Sequence, residues 1–332
     1  MDNKQFATLD IFKHLRMKAN AVWLLEQVNA LPVSLSVTDL IHMKSAVAGQ
    51  FGNTYYVDSV NGSDGYKGSK TRPKATINAG ISLMSARDTL ILAPGHQEDI
   101  IAAAAIDINV SSIRIIGVGH GSQQPQVTFT HVDGTVAVTS ANNIYVENVR
   151  FSSSLDSVPI GVDVLAGSTD VWFNGCRWDV ELAATDEFDL CVRFAAGCDR
   201  PKVTNCEFDM DLANAVMAIQ IIDVDAPVIK GNKIRGDYST ANIGGLTTLS
   251  TNVDIGGNTL VNGEGGALNS EPVIELITGS TGEIYDNYCV CNLATKSAAI
   301  VSATSLLFEN YYNEDISGAA TGGIIGTPSA DD

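Results

Sequence analysis

Seven carboxylates gather in one stretch of this sequence and its counterpart about one repeat later: Asp179, Glu181, Asp186, Glu187 and Asp189, then Asp209 and Asp211. Asp179 and Asp209 follow Trp178 and Phe208, which occupy equivalent points of a repeat described below. Stacked repeats would bring these two acids close together, and Glu181 and Asp211 likewise. Two carboxylates so placed can raise one pKa, as the general acid of a glycosidase requires. A Ca²⁺ ion between them and a solvated acidic face are the other readings. If the chain is an enzyme, Asp179, Glu181, Asp209 and Asp211 are its candidate catalytic residues. The sequence otherwise assigns no catalytic residue, no cofactor and no metal site.

Other reactive types are less organised. Arg150, Arg177 and Lys233 fall at equivalent outward positions, where lyase chemistry would want cations against an acidic sugar, but Glu207 and Thr259 interrupt the series. Ion pairing along the fold is the plainer expectation. His96, His120 and His131 have no Ser or Asp at a recognised spacing. Gly117, Gly119 and Gly121 follow a strand with no helix expected after them, so a turn is expected rather than a phosphate loop. Cys176, Cys191, Cys198, Cys206, Cys289 and Cys291 form no CxxC pair and read as reduced core residues of a protein assembled in a reducing cytoplasm.

The elements that would position these groups announce themselves as a repeat. IYVENVRF begins at Ile144, VWFNGCRW at Val171, PKVTNCEF at Pro201, PVIKGNKI at Pro227, VDIGGNTL at Val253, EIYDNYCV at Glu283 and LLFENYYN at Leu306. Val149, Cys176, Cys206, Asn232, Asn258, Asn287 and Asn310 are equivalent, at intervals of 23 to 30 residues. That is short for a propeller blade and too β-branched for a helical solenoid, but it suits one coil of a three-sided parallel β-helix. With coils roughly 4.8 Å apart, eight or nine would make a rod on the order of 40 Å long. Alternation points Val146, Phe173, Val203, Ile229 and Ile255 inward, with Phe151, Trp178, Phe208, Ile234 and Leu260 on the next face. The Asn set reads as a coil-to-coil ladder at a tight bend, continued by Cys176 and Cys206, with each Asn expected to take the left-handed bend itself.

The fold class expected is therefore all-β, a right-handed single-stranded parallel β-helix over 51–315, with a small α-helical module before it and a flexible tail, 316–332, after it. Aromatics at 7% and 30 glycines fit many short strands and tight turns. In residues 1–50, helical spacing from Leu9 to Leu31 is stopped by Pro32, and a second short helix runs from Thr38 or Asp39 to Gly49. Phe12, Leu15, Trp23 and Leu25, with Lys13, Arg16 and Lys18, form an expected attachment surface. A strand Tyr55–Asp58, a cap helix Thr76–Ala86 and a strand Asp88–Ala93 open the solenoid.

Charge is uneven. Residues 1–50 hold five Lys/Arg against four acids, net +1, so a total of −18 leaves −19 on the rest. Such a surface disfavours nucleic acid and anionic membranes. The stretch Ala19–Leu25 is interrupted and flanked wrongly for a signal peptide or membrane span.

Tyr55–Leu83 (YYVDSVNGSDGYKGSKTRPKATINAGISL), Asp88–Ile100 (DTLILAPGHQEDI) and Ile113–Phe129 (IRIIGVGHGSQQPQVTF), with the coil motifs after them, resemble the parallel β-helix virion proteins of tailed bacteriophages. The resemblance spans about residues 55–315. It implies a structural protein of the phage particle, made in the host cytoplasm: a homotrimeric head decoration (cement) protein, or else a tail component. The alternative it implies is a tailspike-type depolymerase of host glycan, from whose pattern the short rod and small C-terminal tail depart. Implied partners are further copies of the chain and capsid or tail proteins, with a host glycan for the alternative.

Overall fold

A computed structural model of the chain describes residues 52–180, 187–213, 215–245, 247–264, 267–268, 271–291, 300–301, 306–308, 310–313 and 323–325. The expected N-terminal module, with Phe12, Lys13, Leu15, Arg16, Lys18, Trp23 and Leu25, lies outside them. The described chain is a parallel β-helix. Successive coils each give one strand to three sheets, beginning with Thr89–Leu92 in the first, Gln97–Ile100 in the second and Ile106–Ile108 in the third, and the earlier strand Thr54–Val57 pairs with Thr89–Leu92 at the edge of the first. The sheets contain ten, eleven and eight strands respectively.

Register turns the repeat into two interior stacks. Val146, Phe173, Val203, Ile229 and Ile255 are successive partners in the first sheet. Phe151, Trp178, Phe208, Ile234 and Leu260 are successive partners in the second. All are buried. The large rings meet in adjacent coils: Trp178 stacks on Phe151 with centroids 4.9 Å apart and on Phe208 at 4.6 Å, the latter pair 6° from parallel.

The bend between the first and second sheets is made one residue earlier than expected. Left-handed φ values belong to Asn148, Gly175, Asn205, Gly231, Gly257 and Asp286, each directly before a repeat-equivalent residue. The Asn side chains that follow instead span the coils. Asn258 Oδ1 accepts from the Asn232 backbone N–H (2.9 Å) and from Asn232 Nδ2 (3.0 Å), while Asn258 Nδ2 donates to Ile229 O and to Asn287 Oδ1. Asn287 and Asn310 repeat the pattern. Cys206 receives the last of it, its N–H donating to Asn232 Oδ1 at 2.9 Å, and its thiol lies 3.6 Å from Phe173 O. Cys176 stands in the same relation to Val146 O, at 3.7 Å.

Both ends of the described solenoid differ from expectation. The cap helix is only Ile77–Ile81, with Thr76 as N-cap, because the chain must turn back before entering Thr89–Leu92. A Cβ at Gly80 would lie 2.7 Å from Leu90 Cδ1 and 2.8 Å from Val57 Cγ2, so glycine lets the helix settle on the first strands. In the stretch expected to be a tail, Gly323–Ile325 pairs antiparallel with Asn310–Asn313. This occupies an edge that a parallel coil would leave open.

Phe208→Ala is expected to cost about 3–5 kcal/mol, since the cavity would lie between stacked coils. The neighbouring Glu207→Ala should cost no more than about 1 kcal/mol, its carboxylate being outward. Denaturant unfolding of both variants checks this, and equal small losses would contradict the facing assignment.

Candidate functional site

The bend after the first sheet sets the outward face of the second. Immediately past it, register aligns Gln97, Gln126, Arg150, Arg177, Glu207 and Lys233 in one row. Two residues further on, Asp179 and Asp209 are partners in a parallel row. The three cations named from the sequence thus share a row, with Glu207 inside it and Thr259 beyond Lys233.

Charges alternate across these rows. Asp179, only 3% exposed, accepts from Arg150 Nε at 2.9 Å (Oδ1) and 2.8 Å (Oδ2). Arg177 Nε stands 2.6 Å from Asp179 Oδ2 but off the hydrogen-bonding direction. Arg150 Nη1 also donates to Gln126 Oε1 at 3.1 Å. On its other side Arg177 comes within 3.8 Å of Glu207 and 4.0 Å of Asp209. Lys233 Nζ donates to Glu207 Oε1 at 2.9 Å, and that hydrogen bond is the main cause holding the Glu207 carboxyl below its ordinary range.

Beside the arginines the bend opens into a groove of about 500 Å³, lined by Ser122, Gln124, Arg150, Arg177, Asn205 and Glu207 among others. The sequence did not point to this groove because one wall comes from the turn at Gly121, in an earlier coil. That turn holds a three-residue 3-10 segment, Gly121–Gln123, and Asn148 Nδ2 donates to the carbonyls of Gly117 and Gly119. It is a fastened turn, too short to offer a helix terminus to a phosphate.

Hydrolysis by a carboxylate pair needs one protonated acid and one free base, both within reach of substrate. Asp179 is buried with both oxygens engaged by Arg150, so it cannot serve as the reachable partner of Asp209. Glu181 and Asp186 lie outside the described residues, as does the side chain of Asp211, whose backbone belongs to the strand Glu207–Ala213. The acid pushed upward is Glu187, to about 7, by burial first and then by Asp189 and Asp156. It lies just before the third-sheet strand Leu190–Phe194, at a different bend from the arginine groove. At 2% exposed, with Oε2 lacking a hydrogen-bond partner among the described residues, it is sealed from any glycosidic oxygen.

His96 is also buried and committed. Its Nδ1 accepts from the Ser59 N–H at 3.1 Å, which leaves the Nε2 proton for Glu98 Oε2 at 3.3 Å. Glu98 Oε2 in turn accepts from the Ile77 N–H at the start of the cap helix. The six cysteines are buried free thiols, and burial pushes Cys198 up to about 11, which leaves it a poor nucleophile. Among the described residues, no group of three or more His, Cys, Asp or Glu side chains is placed to hold a metal ion.

No family model and no curated protein matches the chain. Among solved structures it is similar to a rhamnogalacturonan lyase, at 14% identity and TM-score 0.43 over 78% of this chain and 87% of that one. A GH136 lacto-N-biosidase from Eubacterium ramulus is similar at 11% identity and TM-score 0.34, over 82% and 69% of the two chains. ORF18 of Geobacillus virus E2 is similar at 10% identity and TM-score 0.26, over 85% and 65%. At these levels none of them assigns an activity.

Glu187 generates a pH prediction. Its folded pKa is raised, so its contribution to stability is full below its ordinary carboxyl value and is lost as pH rises through about 7. Glu187→Gln should therefore match the parent in acid and become more stable than it above neutrality, by at most about 3 kcal/mol. Paired thermal melts across that pH range check this, and parallel curves would contradict it.

Proposed function

We propose that the chain is a non-enzymatic structural protein of a tailed-phage particle, most simply a homotrimeric head decoration protein, with a tail component as the other placement. The observation that carries the non-enzymatic part is Asp179, buried and held by Arg150 where a reachable catalytic carboxylate would be needed. The resemblance of Tyr55–Leu83, Asp88–Ile100 and Ile113–Phe129 to phage virion β-helices supports the location. A stack of coils tied by buried amides suits a displayed rod, which must resist unfolding without moving.

One feature favours a second reading, a tailspike-type depolymerase: the groove puts Arg150 and Arg177 beside Glu207, a set that could face a carboxylated sugar. Incubating the purified protein with host capsule or O-antigen and assaying reducing ends and unsaturated sugars separates the two. No product is expected, and reproducible cleavage would sink the structural reading.

In this proposal residues 1–50 attach the rod to the particle or to sister chains. Phe12, Leu15, Trp23 and Leu25 would supply apolar contact, and Lys13, Arg16 and Lys18 a basic stretch for an acidic surface. Deleting residues 1–50 should leave a soluble chain with its β-type circular dichroism intact that no longer trimerises or binds particles lacking the protein. Unchanged assembly and binding would remove the module from that role.

A further inference from the structure

The outward face of the first sheet carries a short row unlike its surroundings. Register aligns Arg114, Tyr145, Trp172 and Lys202 in four successive coils. At one coil spacing each, the row is roughly 14 Å long. Trp172 is 36% exposed, although an indole gains most from burial. Tyr145 meets it edge-on at 4.9 Å. Arg114 lies over the Tyr145 ring at 4.9 Å, and Lys202 Nζ over the Trp172 ring at 5.5 Å.

The rings are held from the adjoining row. Trp172 Nε1 donates to Thr204 Oγ1 at 2.7 Å, Thr204 Oγ1 donates to Asn174 Oδ1 at 2.9 Å, and Asn174 Nδ2 donates to Tyr145 OH at 3.1 Å. These polar edges are thus tethered to the sheet, which restricts how the ring surfaces can rotate. Two carboxylates stand nearby: Glu147, on the adjoining row and hydrogen-bonded with Tyr145, and Asp170, which pairs with Arg200 and also feels the charge of Lys202.

On the coils the cations of this row differ from most others, although Arg72, in the opening segment, likewise lies over the ring of Tyr66. Arg150, Arg177, Arg193, Arg200, Lys230 and Lys233 all pair with carboxylates. Among the described residues, Arg114 and Lys202 form no ion pair, in a chain whose net charge is −18. They rest on aromatic faces, a weak hold at an exposed site. Both can therefore turn to an incoming anion at little cost.

We propose that this row is a binding site for an acidic oligosaccharide. The apolar C–H face of a sugar ring would pack against Trp172, while Lys202 and Arg114 at the two ends of the row would take its carboxylates. Neutral glycans would lack the second contact and acidic peptides the first. The site is independent of cleavage: it stands whether or not the arginine groove proves catalytic.

Isothermal titration of the full chain with oligogalacturonate, hyaluronate oligosaccharides and oligosialic acid tests the proposal. Neutral maltooligosaccharides and poly-L-aspartate serve as controls. At least one acidic glycan should bind saturably and more tightly than both controls. Trp172→Ala should weaken that binding about tenfold or more, as should the double change Arg114→Gln with Lys202→Gln, while Trp172→Phe retains most of it. Tyr311→Ala, at an exposed aromatic of the second sheet, should change nothing. Circular dichroism and melting temperature establish that each variant is folded. The proposal is overturned if no acidic glycan binds, if binding survives Trp172→Ala, or if a neutral glycan or poly-L-aspartate binds equally well. Binding accompanied by cleavage would overturn the non-enzymatic reading and leave this site standing.

Discussion

The bend between the first and second sheets is the constraint on which the rest of the fold depends. A single left-handed residue turns each coil there, and the next residue's N–H then points along the rod with no strand partner in line. A buried N–H left unpaired costs about 1–3 kcal/mol, and the cost would recur at every coil. Asn232, Asn258, Asn287 and Asn310 remove it over successive coils: each side-chain oxygen takes an N–H from the coil before, and each side-chain amide gives to a carbonyl of that coil. These residues are 2% exposed or less. Paired amides in a buried interior hold coil spacing and register together, and everything outward inherits its position from them.

The interior changes character along the rod. Where the Asn series gives way to Cys206 and Cys176, the thiols sit near the same carbonyls but are weak donors. In these coils the stacked rings of Phe151, Trp178 and Phe208 fill the adjacent space. The rod thus shifts from amide pairing toward aromatic packing, and both the arginine groove and the Tyr145–Trp172 row lie on the aromatic part.

The repeat made the architecture legible, since equivalent residues at intervals near one coil length allow few other folds. It also made the facing of Phe173 and Phe208 legible, because strand alternation has a period of two. The left-handed position falls one residue before the one expected: both Asn and its predecessor, Gly or Asp, tolerate that conformation, and only the amide hydrogen bonds separate the roles. The carboxylate cluster was legible as a cluster but not as a set of separate environments. Asp179 and Glu187 are eight residues apart, yet one sits among arginines and the other in a sealed bend beside Asp156 and Asp189. The groove was illegible because its wall is contributed by a turn from an earlier coil.

Parallel stacking has a further electrostatic consequence. Equivalent outward positions recur about every 4.8 Å along the rod, so a row of like charges would be strongly self-repelling in an acidic chain. The second sheet relieves this by setting Arg150 and Arg177 around Asp179 and Lys233 against Glu207, and the third by setting Arg193 against Asp163. A cation that pairs in this way serves the rod's cohesion and has little left for a ligand. The same pairing that lets two acids approach one another at Asp179 and Asp209 withdraws Asp179 from chemistry. Groups left outside such pairing are where recognition has room to act, which on the first sheet means Arg114 and Lys202 on either side of two oriented rings.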